Sequence, residues 1–424
     1  MPRNKKHSNL KRLLITAEEI LSNTLGIPIQ LEQPKILTGN DSKNRLIRIQ
    51  VKCGVADTPN SVIIKQAAPS SYDPNDTQAF STQGLFNEWA GLEFLSGLPD
   101  AATKPYGPTF YGGHRELGFI IMEDLQHHKQ PFRWAGSEYR FDASLLQPLF
   151  IKTAREAEAS LVSLVQGLGR MHAATVDRTE EYERIRQRLA PSNVSSRTGL
   201  AQLIRHFAKT FPAHSQQIQL TPAAQFYEEL ESVANALEHP GPFLAYVHGD
   251  PCPGNYLESG GAWRIIDFEQ SNLYHALLDT TFGRMGFPTC WCCQYVPASV
   301  VQAMERAYRA ELIKGCLAAT DDTLFQRGLV EACVFWTVWS MHDLPSILKE
   351  DRDWGLATRR QRILARLTMM IHTANEFNYF PAIAQTTVTL RQRLRQIWPE
   401  TADLPVYPAF RDMPSDNNFR VRAG

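Results

Sequence analysis

The sequence has 424 residues, of which 43% are hydrophobic and 21% charged, and its 44 basic side chains equal its 44 acidic ones. Without a basic excess the chain lacks the charge of a general polyanion binder, so we expect no nucleic-acid partner. The composition also excludes disorder of the whole chain, and the length predicts two or three domains.

Two features argue against membrane insertion and export. The longest apolar stretches, such as residues 333–339, fall far short of the roughly 18 to 20 residues that a membrane-spanning helix needs. The basic start resembles the first part of a signal peptide, but only a short apolar run at 13–15 follows before two glutamates. We therefore expect no membrane partner and a cytoplasmic protein.

The chain has seven cysteines. An odd number spread over a long chain favours reduced, unpaired thiols over a disulfide framework. Cys290 and Cys293 have the Cys-x-x-Cys spacing, with Cys292 between them. A zinc site needs about four ligands, and the sequence has no second pair with matching spacing. Structural or incidental cysteines are expected, and metal or redox chemistry is the alternative.

A small β-rich domain is predicted after a polar amino-terminal extension, residues 1–30, which carries a short helix over 17–25. Three strand-like runs, a helix with one apolar face and two more strands follow, at 36–37, 46–51, 61–66, 82–95, 109–112 and 118–122. This order is typical of an antiparallel meander with one helix. It places the small domain at residues 31–125.

Beyond residue 126 the periodicity becomes helical. Apolar residues recur at three-and-four spacing between Leu161 and Met171. A β interlude over 244–268, with Gly260 and Gly261 at a hairpin turn, breaks the pattern. Further helices are predicted over 178–189, 200–211, 222–237 and 298–396. The chain is therefore expected to be α+β.

The β interlude contains the run His-Gly-Asp-Pro-Cys-Pro-Gly-Asn at residues 248–255, and Asp267 follows twelve positions after Asn255. Two carboxylates and an amide oxygen at one edge of these strands suit Mg²⁺, which prefers hard oxygen ligands. Phosphoryl transfer needs such an ion to neutralise phosphate charge, and it needs a group that orients the hydroxyl nucleophile. Asp250 is the candidate for that group, because the preceding strand would hold it in place.

This stretch resembles the catalytic loop His-Gly-Asp-x-x-x-x-Asn and the following metal-binding aspartate of the aminoglycoside phosphotransferase and choline kinase superfamily, relatives of the protein kinases. The resemblance implies that Asp250 is the catalytic base and that Asn255 and Asp267 are Mg²⁺ ligands. It also makes His248 a residue that scaffolds the loop. The resemblance covers roughly residues 35–285 in order.

The small domain carries further parts of the same pattern. Lys65, at the end of Val-Ile-Ile-Lys, resembles the strand lysine of the family, and Glu88 resembles its helix partner. The glycine-rich lid is reduced to one glycine, and the cofactor-binding candidates there are Gly39 and Asn40. Residues 120–125 resemble the family's hinge, where the backbone of two residues would face adenine, namely Glu123 and Leu125.

Each of these residues has a plainer interpretation by itself. Lys65 alone suits a solvated strand end, Glu88 a surface helix, and the loop a polar turn. Five elements that agree in order argue against a chance resemblance. Two departures disfavour a protein kinase: Gly249 replaces the usual arginine, and Glu269 replaces the glycine that follows Asp-Phe. His172, on the periodic helix, is expected to be a packed or capping histidine.

A carboxy-terminal face is the candidate for acceptor binding. Trp336, Trp339 and Asp343 recur at helical spacing, so a core stripe is the default interpretation. The alternative is a wall of the acceptor site, because aromatic faces with a carboxylate suit a cationic or sugar-like molecule. If that face is structural, the acceptor is expected nearer Glu269 and Asp279.

We therefore expect a bilobal, protein-kinase-like α+β fold. Its parts would be the extension at 1–30, a nucleotide-binding lobe with a small antiparallel sheet at 31–125, and a mainly helical lobe at 126–424 with the catalytic loop and acceptor region. The expected reaction is phosphorylation of a small-molecule hydroxyl with ATP and Mg²⁺. The alternative is a catalytically silent nucleotide-binding or scaffold protein of the same fold. Neither the acceptor nor the oligomeric state is readable from the sequence.

Overall fold

The computed structural model of the protein describes residues 2–38, 44–55, 58–68, 71–125, 130–134, 137–141, 145–190, 197–259 and 262–413. The chain divides into two compact units. Unit 1 comprises Met1–Lys129, Glu180–Val194 and Leu257–Ser271, and unit 2 comprises Gln130–Thr179, Ser195–Tyr256 and Asn272–Gly424. The sequence predicts one boundary at residue 126, with each lobe continuous along the chain. Each unit of the structure instead consists of three separate segments.

The regular elements are numbered in chain order. In the described residues the α-helices are α1 (Pro2–Leu25), α2 (Phe80–Ser96), α3 (Leu146–Ile151), α4 (Ala154–Thr175), α5 (Thr179–Leu189), α6 (Arg197–Gln217), α7 (Ala224–Glu238), α8 (Leu277–Arg284), α9 (Ala298–Leu312), α10 (Asp322–Ser340), α11 (Leu344–Lys349), α12 (Arg359–Phe377) and α13 (Pro381–Ile397). The strands are β1 (Gln30–Ile36), β2 (Asn44–Lys52), β3 (Ser61–Ala67), β4 (Phe110–His114), β5 (Phe119–Glu123), β6 (Gln130–Trp134), β7 (Ser137–Phe141), β8 (Leu244–Val247), β9 (Tyr256–Ser259), β10 (Ala262–Ile265), β11 (Asn272–His275), β12 (Asp353–Trp354) and β13 (Ala357–Thr358).

Unit 1 is built on a five-stranded sheet in the order β1-β2-β3-β5-β4, and its pairs are antiparallel. The sequence predicts β2, β3, α2, β4 and β5 to within a few residues, because alternating or four-spaced apolar residues mark each of them. The predicted run at 36–37 is wrong in extent, since β1 begins at Gln30. Only Leu31 is buried in β1, so the strand carries little alternation.

The amino-terminal helix is longer than predicted and belongs to the core of unit 1. The sequence predicts a helix over 17–25, whereas α1 begins at Pro2. Leu13, Ala17 and Leu21 lie four residues apart, are buried, and pack with Ile47 and Phe119 of the sheet. Basic residues precede this buried stripe, so the composition of the segment indicates a polar extension although one face of the helix is apolar.

Unit 2 is mainly helical. The apolar face predicted between Leu161 and Met171 is buried in α4, which begins with a capping box formed by Thr153 and Glu156. The strands β8 and β11 form a short antiparallel pair, with Val247 opposite Asn272. Because β8 ends at Val247, the loop that starts at His248 leaves directly from a paired strand. The predicted α+β class is therefore confirmed, with a small antiparallel sheet in unit 1 and helices dominating unit 2.

The region predicted as helical over 298–396 is interrupted once by strands. A two-residue hairpin, β12 with β13, pairs Asp353 with Thr358 before α12 begins. Strands of this length leave no alternation for sequence reasoning to find. In the part of the chain that the structure describes, no helix combines the length and apolar character that crossing a membrane requires.

His275 at the end of β11 makes the stability of the fold depend on pH. Burial, with a smaller contribution from His172, lowers its pKa from 6.5 to about 4. Its Nδ1 accepts a hydrogen bond from the backbone N–H of Leu277 at 3.2 Å, which requires the neutral ring. The unfolded chain therefore binds this proton at higher pH than the folded chain. Stability is full above about pH 6.5 and falls toward pH 4, by about 3 kcal/mol at most.

We expect His275→Asn, which does not titrate, to flatten this part of the profile. The measurement is the free energy of unfolding in urea between pH 7 and pH 4. His206→Asn, at an exposed position of α6, is the control and should keep the slope of the parent. Equal slopes for the parent and His275→Asn would contradict the assignment.

Candidate active site

Three charged side chains of unit 1 meet at one point. Lys65 lies on β3, Glu88 on α2, and Asp267 just after β10. The Nζ atom of Lys65 is 2.5 Å from Oε2 of Glu88 and 2.6 Å from Oδ1 of Asp267. Lys65 and Glu88 are buried, whereas the Asp267 side chain is 38% exposed. The structure therefore brings the strand lysine and the helix glutamate together with the second carboxylate of the sequence motif.

The charges of this cluster depend on each other. Burial alone would lower the pKa of Lys65, but the carboxylates of Asp267 and Glu88 outweigh it, so the pKa is raised and the ammonium group persists. Burial raises the pKa of Glu88, and the ammonium group of Lys65 offsets part of that rise. Removal of Lys65 would leave the buried Glu88 carboxylate without compensation, whereas loss of Asp267 leaves the Lys65–Glu88 pair in place.

The segment from Asp267 to Glu269 is held against α2. Asp267 has φ of +68°, in the left-handed region, which Asp and Asn tolerate better than most side chains. The Nδ2 atom of Asn87 donates to the backbone oxygen of Glu269 at 2.9 Å, and Nδ2 of Asn44 donates to its Oε2 at 3.4 Å. Glu269 thus contacts β2 and α2 of unit 1, which favours a positioning role over the predicted acceptor contact.

The structure describes the predicted hinge, residues 120–125, but not the predicted lid residues Gly39 and Asn40. The Glu123 carboxylate accepts hydrogen bonds from the backbone and hydroxyl groups of Thr109 and pairs with Arg264, so this side chain is committed within unit 1. Leu125 is buried. The backbone contacts to adenine expected of Glu123 and Leu125 stay a prediction. Gly39 and Asn40 lie outside the described residues.

The loop of residues 248–255 is anchored within unit 2 by Asp279. Its Oδ2 accepts the backbone N–H of His248 at 2.7 Å, and its Oδ1 accepts that of Gly249 at 2.9 Å. His172 lies 3.2 Å from the same Oδ2, and its other ring nitrogen is 2.7 Å from the hydroxyl of Tyr308. Asp279 is 1% exposed, so these contacts argue against the acceptor role predicted for it. His172 is packed, as predicted, and it supports the loop through Asp279.

Asp250 is oriented by groups on both sides of it. Its backbone N–H donates to Nδ1 of His248 at 3.3 Å, in agreement with the scaffolding role implied for that histidine. The Nδ2 atom of Asn255 donates to the backbone oxygen of Asp250 at 2.9 Å. The hydroxyl group of Thr289 donates to Oδ1 of Asp250. Sequence reasoning missed Thr289, because nothing at that position marks a residue that contacts a loop so far back in the chain.

A disulfide joins this loop to the same distant segment. Cys252 and Cys290 are bonded, with their Cα atoms 5.6 Å apart. The expectation that all the cysteines are unpaired is therefore wrong for these two, because the fold brings together residues that the sequence separates. Cys292 and Cys293 are free and buried. With Cys290 in a disulfide, the Cys-x-x-Cys spacing supplies no pair of thiolates for a metal.

The carboxy-terminal aromatic face divides into a core part and an exposed part. Trp336 is buried, and its indole N–H donates to the backbone oxygen of Leu278 at 3.0 Å, so the default interpretation as core holds for this residue. Trp339 is half-buried, with its ring centroid 6.1 Å from that of Trp354. The Asp343 side chain is 43% exposed and lies 3.9 Å from Nη2 of Arg359. Trp339 and Asp343 thus keep surface that a ligand could reach.

Residues 104–313 match the model of the phosphotransferase enzyme family. The match spans 210 of the 424 residues, just under half of the chain, and it supports the family assignment for that segment. The match supports the predicted resemblance to the aminoglycoside phosphotransferase and choline kinase superfamily. A search of curated proteins finds no match.

Solved phosphotransferase structures are similar to the chain at low identity. A choline/ethanolamine kinase family protein from Mesorhizobium loti is 14% identical with a TM-score of 0.44, over 84% of this chain and 93% of that one. A macrolide 2'-phosphotransferase from Brachybacterium faecium is 12% identical with a TM-score of 0.42, over 78% and 93% of the two chains. An aminoglycoside phosphotransferase with ADP bound is 12% identical with a TM-score of 0.41, over 87% and 98%.

The phosphotransferase family match covers part of the site described above. It includes the hinge, the loop with Asp250, and Asp267, and it begins after Lys65 and Glu88. The residues outside the match are therefore supported by the contacts of this structure alone. The ion pairs of Lys65 join Asp267, which lies within the matched segment, to β3 and α2, which precede it.

Proposed function

We propose that the protein transfers the γ-phosphoryl group of ATP, with Mg²⁺, to a hydroxyl group of a small molecule. The observation that carries the proposal is the position of Lys65 between Glu88 and Asp267. A buried ammonium group held by two carboxylates is pre-oriented for the phosphates of a nucleotide. A surface lysine at a strand end would have no reason to be enclosed in this way.

The two residues that the resemblance assigns to Mg²⁺ each carry an oxygen donor. Asp267 has a partly exposed carboxylate, and Asn255 carries an amide oxygen, since its Nδ2 is the atom that donates to Asp250. Hard oxygen donors of this kind are the ones Mg²⁺ prefers. The resemblance implies that Asp267 and Asn255 would hold the ion, which would neutralise the charge of the phosphate oxygens. Lys65 would then contribute a second, fixed positive charge.

Asp250 is the group proposed to act on the acceptor. Its carboxylate would accept a hydrogen bond from the acceptor hydroxyl and orient that oxygen toward the γ-phosphorus. The new oxygen–phosphorus bond forms as the bond to the β-phosphate oxygen breaks, so ADP leaves and the hydroxyl proton passes to Asp250. The contacts from Thr289 and the loop backbone keep the carboxylate in one orientation.

The remaining predicted residues complete the proposal. The lobe at 31–125 would bind the nucleotide, with adenine against the backbone of Glu123 and Leu125 and the phosphates under Gly39 and Asn40. The lobe at 126–424 would supply the loop and the acceptor surface. These assignments rest on the resemblance and on the order of the elements, and they remain proposals.

The decisive test is a screen of the purified protein with ATP and Mg²⁺ against aminoglycosides, macrolides, amino alcohols and hydroxylated metabolites. Formation of ADP together with an acceptor heavier by one phosphoryl group, detected by mass spectrometry, is the expected result. The same screen with GTP determines the nucleotide preference. Tight ATP binding without turnover of any acceptor would instead support the silent nucleotide-binding protein, which the single-glycine lid favours.

We expect Asp343→Asn to raise the KM for the acceptor about tenfold and to leave the KM for ATP unchanged, because a hydrogen bond to a charged group contributes about 1.5 to 3 kcal/mol. Trp336→Ala should instead lower the melting temperature, at a cost of about 3 to 5 kcal/mol for a truncated core aromatic residue. Asp353→Asn, on the exposed side of β12, is the matched control. An unchanged acceptor KM for Asp343→Asn would assign this face to structure alone.

A further inference from the structure

The disulfide between Cys252 and Cys290 lies at the residue that the proposed chemistry depends on. Cys252 is two positions after Asp250, and its Sγ is 3.0 Å from Oδ1 of Asp250 and 3.5 Å from Oγ1 of Thr289. Cys290 directly follows Thr289, the residue that donates to the same Oδ1. The bond therefore joins the two segments that orient the carboxylate.

The segment that carries Thr289, residues 287–293, is fixed from its other side and is called the tether segment. Nη2 of Arg362 in α12 donates to the backbone oxygen of Cys290 at 2.6 Å and to that of Trp291 at 3.2 Å. The same atom donates to the backbone oxygen of Trp354 at 2.9 Å. Arg362 is buried. The disulfide thus ties the catalytic loop to a segment that is itself held by a long helix.

The other anchor of the loop acts on different atoms. Asp279 binds the backbone N–H groups of His248 and Gly249, which precede Asp250. Thr289 instead donates to Oδ1 of the Asp250 carboxylate itself. Opening the disulfide would leave the Asp279 contacts intact and remove the covalent link that keeps Thr289 beside Asp250.

We propose that Cys252–Cys290 is a redox modification site that controls the catalytic loop. With the bond formed, Thr289 is held against Asp250 and phosphate transfer is fast. A dithiol reductant opens the bond, the loop gains freedom, and transfer slows. The kinetic part of this inference rests on the proposed function.

The exchange step is balanced by the dithiol. A thiolate of the reductant attacks Sγ of Cys252, which is 8% exposed against 1% for Cys290, and the Cys290 thiolate leaves and takes up a proton. The second thiol of the reductant then displaces Cys252, so two electrons and two protons pass to the protein and the reductant becomes a disulfide. In the disulfide form the Cys252 sulfur lies 3.0 Å from Oδ1 of Asp250, so after reduction its S–H group would compete with Thr289 as a donor.

The experiment uses the full chain, treated with dithiothreitol or with oxidised glutathione. Alkylation and peptide mass spectrometry quantify the Cys252–Cys290 link. Hydrogen exchange measures how well the backbone of residues 248–256 is protected. The oxidised protein should contain the linked peptide and exchange slowly in the loop. Reduction should speed exchange there and lower kcat about tenfold or more, the scale of a lost hydrogen bond to a charged group, with the KM for ATP unchanged.

Three variants separate the effect of the Cys252–Cys290 disulfide from other effects of reduction. Cys290→Ser should have the low kcat under both conditions. Thr289→Val should lower kcat while its linked peptide still forms, so the effect cannot be attributed to loss of the disulfide. Cys53→Ser removes a free, half-buried thiol of unit 1 and should keep the full redox response.

Absence of the linked peptide after oxidation, or equal loop exchange in the two redox states, would overturn the proposal. Equal kcat values in the two states would overturn it as well. If neither state transfers phosphate to any acceptor, the proposed function fails. Hydrogen exchange in the loop still tests whether the disulfide restrains it. Slower exchange in the oxidised state would then support it.

Discussion

Asp250→Asn is expected to lower the rate of phosphate transfer by roughly two to four orders of magnitude, the scale of losing a positioned base. Asparagine keeps the shape of the side chain and an oxygen that can accept from Thr289, so the loop should stay folded. The amide cannot take up the hydroxyl proton. Nucleotide binding should be preserved, because Lys65 and its two carboxylates are unchanged.

The measurements for Asp250→Asn are kcat, the Kd for ATP and the melting temperature. Glu258→Gln, an equivalent change at an exposed position of β9, should behave like the parent in all three. A parent-like kcat for Asp250→Asn would show that Asp250 is not the base. A large loss of ATP affinity would show that the variant disturbs more than the acceptor step.

Loss of the Asp267 carboxylate is expected to remove the part of ATP affinity that depends on Mg²⁺. The reduction should be at least about 10- to 100-fold, since outer-shell partners of metal ligands already have effects of that size. Asp267→Asn is the better variant, because φ of +68° is tolerated by asparagine and strained for alanine. Asn255→Ala should weaken binding less, since it removes a neutral donor.

Calorimetry with ATP, with and without Mg²⁺, tests this expectation. Without Mg²⁺ the parent and Asp267→Asn should bind ATP about equally, and addition of Mg²⁺ should strengthen only the parent. Glu258→Gln again serves as the control. Equal affinities of parent and Asp267→Asn in Mg²⁺ would remove Asp267 from the metal site and favour the silent nucleotide-binding protein.

The short-range parts of the site follow from the sequence. Residues 248–255 have a spacing that is set within one loop, and Lys65 and Glu88 sit on elements whose apolar periodicity is plain. The structure brings Lys65 and Glu88 into contact and places the loop directly after β8. Local chain geometry decides the loop spacing and the elements that carry Lys65 and Glu88, so sequence patterns are enough to predict those.

The amino terminus illustrates a different limit. The sequence indicates a polar lead, because basic residues dominate its first twelve positions. The same helix carries Leu13, Ala17 and Leu21, whose burial depends on a sheet formed by later residues. Whether an amphipathic stripe is core or surface is decided by what covers it.

What the sequence by itself determined is the fold class, the order of the elements and the spacing within the loop 248–255, because these depend on periodicity and on spacing over a few residues. Only the tertiary structure decided which residues contact the Asp250 carboxylate and the loop backbone. Thr289, Cys290 and Asp279 come from segments that follow the loop by tens of residues. Such contacts arise because packing brings distant segments together, and no local preference of the chain encodes which residues will meet.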